Sequence, residues 1–301
     1  MRLPLPLAER RTVNQDEGAN VSLEVLDQLY WIVLAFNLTS ATFIPAYGQY
    51  ADIFGRHAVL QGALATMLVG AILCSVAPSY AFPMLLVGRA LQGVGCAGVG
   101  ILTKVILSDK VSLSENAKNN TIFALIGGLG YGFGPVIGGY LTSVSWRWCF
   151  IINIPLAVLG MIATFFILRP ELLGPQPIPG VEFPTTLRTR LSTIDAGGQI
   201  LFLFGMGLII IALTWGGSYY SWSDANVLSP LIIGTLIFIC FLIWEYLLLP
   251  GKRLSLKFPR QKAMIPFNLL WSRNSGLLFY VNFVAGMGMS CLSGCPANYF
   301  F

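Results

Sequence analysis

Charge is scarce in this sequence. Lysine, arginine, aspartate and glutamate make up 10% of its 301 residues, where a soluble domain carries about 25%. Apolar residues reach 55%, which leaves too little polar surface to face water around a soluble fold of this length. A bilayer removes the problem, because lipid is itself an apolar solvent. Histidine is nearly missing too, with His57 the single one. Of the six cysteines (Cys74, Cys96, Cys149, Cys240, Cys291 and Cys295), only Cys291 and Cys295 are close enough to share a helix face, and no histidine or carboxylate beside them completes a metal site. They read as small apolar packing residues, and no metal or other cofactor is expected. A nucleotide-binding loop and a nucleophile–base pair are both lacking, so the sequence does not read as an enzyme. The net charge of +5 does not point to nucleic acid. The basic residues are not interleaved with aromatics; they sit in short connections between apolar runs, as in membrane proteins.

What is present is a series of long apolar runs. Eight are long enough to cross a bilayer as helices, at roughly 30–50, 58–78, 83–106, 120–142, 148–168, 197–216, 227–248 and 276–298. They are continuous rather than alternating, which favours helices over barrel strands, and a helix satisfies its own amides in lipid. The expected class is an all-α integral membrane protein. Alternate connections carry twelve basic residues (Arg56; Lys110 and Lys118; Arg169, Arg188 and Arg190; Lys252, Arg253, Lys257, Arg260, Lys262 and Arg273), against Arg147 alone in the others. The basic side is expected to be cytoplasmic. That orientation would place the polar tail 1–29, with Arg2, Arg10 and Arg11, outside, although it has no apolar leader core. A further span upstream is the simplest repair, and the chain is expected to be a fragment of a longer protein. The expected organisation is the tail 1–29, a helical bundle 30–168, a proline-rich cytoplasmic linker 169–196, two spans in 197–248, a basic cytoplasmic loop 249–275 and a further span in 276–301.

Three motifs stand on these runs. Residues 48–57 read GQYADIFGRH and close the first run. Gly48 would permit close helix approach and Gly55 a tight turn, while Asp52 would pair with Arg56 or face the positive N-terminus of a neighbouring helix. Residues 85–95 read LLVGRALQGVG. Arg89 lies inside an apolar run, where a charge marks a functional site by default, and Gln92 shares its face. The plainer alternative is that Arg89 snorkels to the interface. Residues 127–139 read GGLGYGFGPVIGG. Gly130, Gly134 and Gly138 fall four apart and make one smooth face, with Gly139 beside it. Pro135 removes a backbone hydrogen bond and bends the helix. Supporting stretches are WRWCFIINIP at 146–155, DAGG at 195–198, WGG at 215–217 and PANYF at 296–300. Asp195 fits equally well as a plain helix N-cap.

Together these resemble the major facilitator superfamily: its loop signature G-x-x-x-D-x-x-G-R, its fourth-span R-x-x-Q-G and its antiporter motif G-x-x-x-G-P-x-x-G-G. The supporting stretches resemble the fourteen-span drug:proton antiporters, of a fungal type. Ile53 and His57 depart from the pattern, standing where a basic residue is common, which weakens the expected charge latch. The resemblance covers about residues 30–301 and implies a major facilitator fold, with the visible runs matching the family's second to ninth spans. The first span and its membrane aspartate would lie outside this sequence. It implies a proton-coupled secondary transporter exporting small amphipathic molecules such as drugs, toxins or secondary metabolites. Arg89, Gln92, Asp52 and Arg56 would serve proton coupling and gating, and Gly130, Gly134, Pro135, Gly138 and Gly139 the antiporter motif. The partners expected are a small-molecule substrate, protons and the lipid bilayer, with a monomeric state and a plasma or vacuolar membrane location. An uptake or exchange transporter of the same fold and a transport-inactive remnant are the competing readings. Alternating access needs two bundles, so the 301-residue chain alone is not expected to transport.

Overall fold

The computed structural model describes residues 7–78, 81–109, 111–168, 187–217 and 220–249, with scattered positions at 174 and between 252 and 284. Among these residues the secondary structure is helical, apart from one isolated bridge between Gly216 and Tyr220. The order is α1 (Leu7–Phe54), α2 (Arg56–Val76), α3 (Phe82–Ser108), α4 (Leu113–Val144), α5 (Trp148–Ile151), α6 (Asn153–Ala163), a π-helical stretch at Thr164–Leu168, α7 (Leu187–Leu191), α8 (Ala196–Trp215) and α9 (Ala225–Leu248). Seven segments are long and apolar enough to span a bilayer: Trp31–Phe54, Arg56–Val76, Phe82–Ser108, Glu115–Val144, Trp148–Leu168, Ala196–Trp215 and Ala225–Leu248. This is the all-helical membrane architecture expected from the apolar runs. The run at 276–298 lies outside the described residues except for isolated positions, as do most of the linker 169–196, most of the basic loop 249–275, both Cys291 and Cys295, and the stretch 296–300. Residues 7–29 are helical and continuous with the first span.

The helix ends follow local chemistry. One residue, Gly55, separates α1 from α2, at φ +90° and ψ 150°. That conformation is open essentially to glycine alone. Ser112 and Glu115 form a reciprocal capping box at the start of α4. Asp195 and Asp224 cap α8 and α9 by accepting backbone N–H groups at Gly198 and Asn226.

Side-chain bonds between these ends fix their sides. Arg56 bonds Asp109, at the end of α3, and Arg190 Nη1, in α7, donates to the Ile53 carbonyl at 2.5 Å. The α1–α2 turn, the α3–α4 connection and the entry to α8 therefore share one side. On the other side Arg147 Nη2 donates to the Ala77 carbonyl at 3.1 Å, bringing the α4–α5 connection to the α2–α3 connection. The chain thus alternates up and down, as the distribution of basic residues required.

Helices α1, α2 and α3 form the tight centre, around Tyr47, Ala51, Val59, Leu60, Ala63, Leu64, Ala97 and Leu102. Glycines on α3 set its density. A Cβ at Gly95 would stand 2.6 Å from Met67 N and 2.7 Å from the Ala63 oxygen; at Gly88 it would stand 2.6 Å from Cys74 Sγ. Gly98 is held as closely by Ala63 and the Tyr47 ring, and Gly93 by Thr39 and the Phe36 carbonyl. Small residues let helices approach where lipid offers no hydrophobic drive. Helices α8 and α9 form a hairpin packed through Gly205 and Gly234, with Phe202, Phe238 and Phe241 in mutual ring contact. The hairpin joins α1 through a Tyr50 hydroxyl bond to Gln199 Oε1 at 2.7 Å and an edge-on Trp31–Trp215 contact.

Candidate functional site

Arg89 sits on α3, seven residues past its start, against α1 and α5. Its Nη1 donates to Gln92 Oε1 at 3.0 Å, and its Nε donates to the Ile32 carbonyl of α1 at 3.3 Å. The guanidinium carbon lies 4.5 Å from the centre of the Phe36 ring and 5.7 Å from that of Phe150. Both rings present a negative face to a cation, a contact that strengthens when water is excluded. Gln92 is only 4% exposed. This arginine is held in place by polar and aromatic groups from three helices. Gly93, the next residue, meets Thr39, whose hydroxyl donates to the Ala90 carbonyl at 3.0 Å. That contact locks α1 to α3 one turn from the arginine.

A second constellation closes the other side. Arg56 is 8% exposed and is held by two carboxylates: Asp52 Oδ1 at 2.5 Å from Nη1, and Asp109 Oδ2 at 3.1 Å from Nε. Asp52 comes from the last turn of α1 and Asp109 from the end of α3. The clasp therefore ties three helix ends together. The two arginines stand far apart: Asp109 lies 20 positions beyond Arg89 on the same helix axis, about 30 Å at 1.5 Å per residue.

The antiporter-type glycines are placed differently. Pro135 lies within α4 and does not end it. Among the described residues nothing approaches within 4 Å of a Cβ position at Gly130, Gly134, Gly138 or Gly139, nor at Gly48. The close-packed glycines are those of α3. The structure brings Arg89 together with Gln92 and Asp52 together with Arg56, and it leaves the α4 stripe open.

A sequence profile described as Major Facilitator Superfamily matches residues 21–300, nearly the whole chain. The chain belongs to the major facilitator superfamily. Its relatives include named fungal transporters. The MFS-type transporter ucsD of an Acremonium species is 35% identical over 217 residues, 72% of this chain and 35% of its own length. The MFS-type efflux pump LUC4 of a Fusarium species is 32% identical over 277 residues, 92% of this chain and 44% of its own length. The Efflux pump FUS6 of Gibberella moniliformis is 31% identical over 260 residues, 86% of this chain and 42% of its own length. The chain thus spans less than half the length of these relatives. The names are those of transporters, not enzymes.

Several residues of this superfamily member escaped the sequence reading. Asp109 was hidden because its partner is 53 positions away. Ile32 and Phe36 contribute a carbonyl and a ring, neither of which looks polar in sequence. Glu245 carried a signal of the kind that singled out Arg89, an ionisable side chain inside an apolar run. It is 0% exposed, near the end of α9.

Proposed function

We propose that this chain is part of a proton-coupled exporter of small amphipathic molecules, of the fourteen-span drug:proton antiporter type. The observation that carries the reading is Arg89, a guanidinium held inside the bundle by Gln92, the Ile32 carbonyl and two aromatic faces. A fixed cation in an apolar interior favours the charged form of a carboxylate brought near it. It thereby lowers the cost of releasing that carboxylate's proton, and gives protons and substrate a shared control point. The Asp52–Arg56–Asp109 clasp acts as the gate. It holds three helix ends together in one state and must be broken or strained when the bundle rocks. The open face of Gly130, Gly134, Gly138 and Gly139 is the sliding surface, smooth because it carries no side chains. The efflux-pump names of two relatives support the direction of transport. The basic connections would face the cytoplasm, and the plasma membrane, or an acidic vacuole, would supply the gradient. The protein works as a monomer in this reading.

The test is efflux of a fluorescent amphipathic dye from cells expressing the full transporter. Efflux should stop when the proton gradient is collapsed. Arg89→Ala should abolish it while protein abundance holds, and Arg89→Lys should not restore it, because an ammonium cannot span Gln92 and the Ile32 carbonyl in the same fork geometry. Efflux that survives gradient collapse refutes the coupling, and cells that accumulate the dye refute the direction.

A further inference from the structure

The sequence carries three Asn-x-Ser/Thr triplets of the kind that accepts an N-linked glycan: Asn20-Val21-Ser22, Asn37-Leu38-Thr39 and Asn119-Asn120-Thr121. The fold puts them in three different places. Asn37 lies within the first span, Trp31–Phe54, and the Thr39 hydroxyl of its triplet donates to the Ala90 carbonyl of α3 at 3.0 Å. Asn119 lies in the second turn of α4, on the side of the Arg56 clasp, where the basic connections gather. Asn20 lies on α1, which runs unbroken from Leu7 to Phe54. The last turn of α1 meets the Arg56 side, so its start projects from the opposite one. Trp31 marks that opposite side: its ring packs edge-on against Trp215, 5.8 Å away at the far end of α8.

Asn20 precedes Trp31 by 11 positions, which at 1.5 Å per residue is about 16 Å of helix. The first span, 24 residues long, already covers about 36 Å. That exceeds a hydrocarbon core of about 30 Å, and a headgroup layer adds roughly 5–8 Å on each side. The helix therefore carries position 20 clear of the lipid. In the nascent chain, before this stretch coils, the same residues extend to about 36 Å. With the basic connections in the cytoplasm, the start of α1 faces the lumen during insertion and the exterior afterwards. We infer that Asn20 is an N-glycosylation site, modified in the secretory-pathway lumen of a eukaryotic cell. The donor is an oligosaccharide carried on a lipid pyrophosphate. The side-chain amide nitrogen of Asn20 bonds to the anomeric carbon, and the bond from that carbon to the pyrophosphate oxygen breaks. The nitrogen gives up one proton, and the lipid pyrophosphate leaves with the bonding electron pair. Asn37 stays bare inside the lipid, and Asn119 stays bare on the cytoplasmic side. The inference rests on the cytoplasmic placement of the basic connections proposed above, and not on transport. A span upstream leaves it unchanged, since the tail would then be an outer loop.

The test is expression of the full chain in a eukaryotic cell, followed by an amidase specific for N-linked glycans. The enzyme should raise the gel mobility by one glycan and convert the acceptor asparagine to aspartate, which peptide mass places at position 20. Asn20→Gln and Ser22→Ala should each abolish the shift, and Ser22→Thr should keep it. Asn37→Gln and Asn119→Gln should leave it unchanged. A second measurement reads the orientation by itself. In sealed microsomes, whose outer surface is the cytoplasmic one, Lys252, exposed just past the end of α9, should react with a membrane-impermeant amine reagent. A chain without the glycan but with Lys252 labelled overturns the site and leaves the orientation standing. Lys252 protected, or a glycan lost in Asn119→Gln, overturns the orientation and the site with it. A shift that persists in both Asn20→Gln and Ser22→Ala is also a refutation.

Discussion

Gly95→Ala and Gly100→Ala place the same methyl group on the same helix, five residues apart, in opposite environments. At Gly95 the new Cβ would lie 2.6 Å from the backbone nitrogen of Met67 and 2.7 Å from the Ala63 carbonyl. Backbone atoms cannot turn aside as a flexible side chain can. Carbon contacts settle at about 3.5–4.0 Å, so α2 and α3 must separate by about 1 Å or bend locally. Overpacking of this kind costs about 1–3 kcal/mol. At Gly100 nothing lies within 4 Å of the new atom, and there the exchange should gain about 1 kcal/mol of helix propensity. The same propensity gain acts at both positions, so it cancels in the difference between the variants. That difference should be about 1–3 kcal/mol, with Gly95→Ala the less stable protein, and it reports packing alone. Unfolding of both proteins by SDS titration in mixed micelles, followed by tryptophan fluorescence, measures it. Equal shifts in the two variants, or a Gly95→Ala protein at least as stable as Gly100→Ala, would refute the view that glycine-mediated approach holds α2 against α3.

Gly55→Ala forces a side chain onto a residue at φ +90° and ψ 150°, a cost of about 1–3 kcal/mol, so it should lower the unfolding midpoint although the added methyl is small. Asp109→Asn removes one of the two charges on Arg56. The Asp109 side chain is 21% exposed, so solvent screens part of the pair and the loss should be no more than about 1 kcal/mol, shrinking as salt rises. Asp52→Asn combined with Asp109→Asn strips the described carboxylates from a guanidinium whose side chain is 10% exposed, and the double variant should lose more than the two single losses added together.

The spans were legible because lipid imposes a simple rule: about 20 apolar residues make a crossing. Seven of the eight runs fall on described helices, and the alternation read from basic residues agrees with the Arg56–Asp109 and Arg147–Ala77 bonds. Arg89 and Gln92 were legible for a related reason, since polar groups inside an apolar run must find partners nearby. The contacts that bind one helix to another were not. Gly88 and Gly98 look like any other glycine in a row of letters; their meaning comes from Cys74 and Ala63 on a neighbouring helix. The Gly130–Gly138 stripe carries the cleaner sequence pattern, yet among the described residues nothing lies within 4 Å of a Cβ built on Gly130, Gly134 or Gly138. Four-residue spacing reports that a face is smooth, not what rests on it. Asp195 was left open between a plain cap and a functional residue, and it does cap α8, but the pattern gave no sign that Glu245, fifty positions later, returns to its side.

The α8–α9 hairpin bears on the order in which this chain assembles. Its internal contacts, Gly205 on Phe238 and Gly234 on Leu208, join residues within a short stretch of chain across a turn closed by Gly216, Gly217 and Tyr220. Its docking contacts are of another kind: the Tyr50–Gln199 bond links residues 149 positions apart. Closing a long loop costs entropy that must be spent before the contact returns anything. The hairpin can therefore complete itself as it enters the bilayer and then wait, already rigid, for α1 to find it. A lesion inside the hairpin should trap nascent chains early, whereas one at Gln199 should let the hairpin form and strand it beside an otherwise finished bundle.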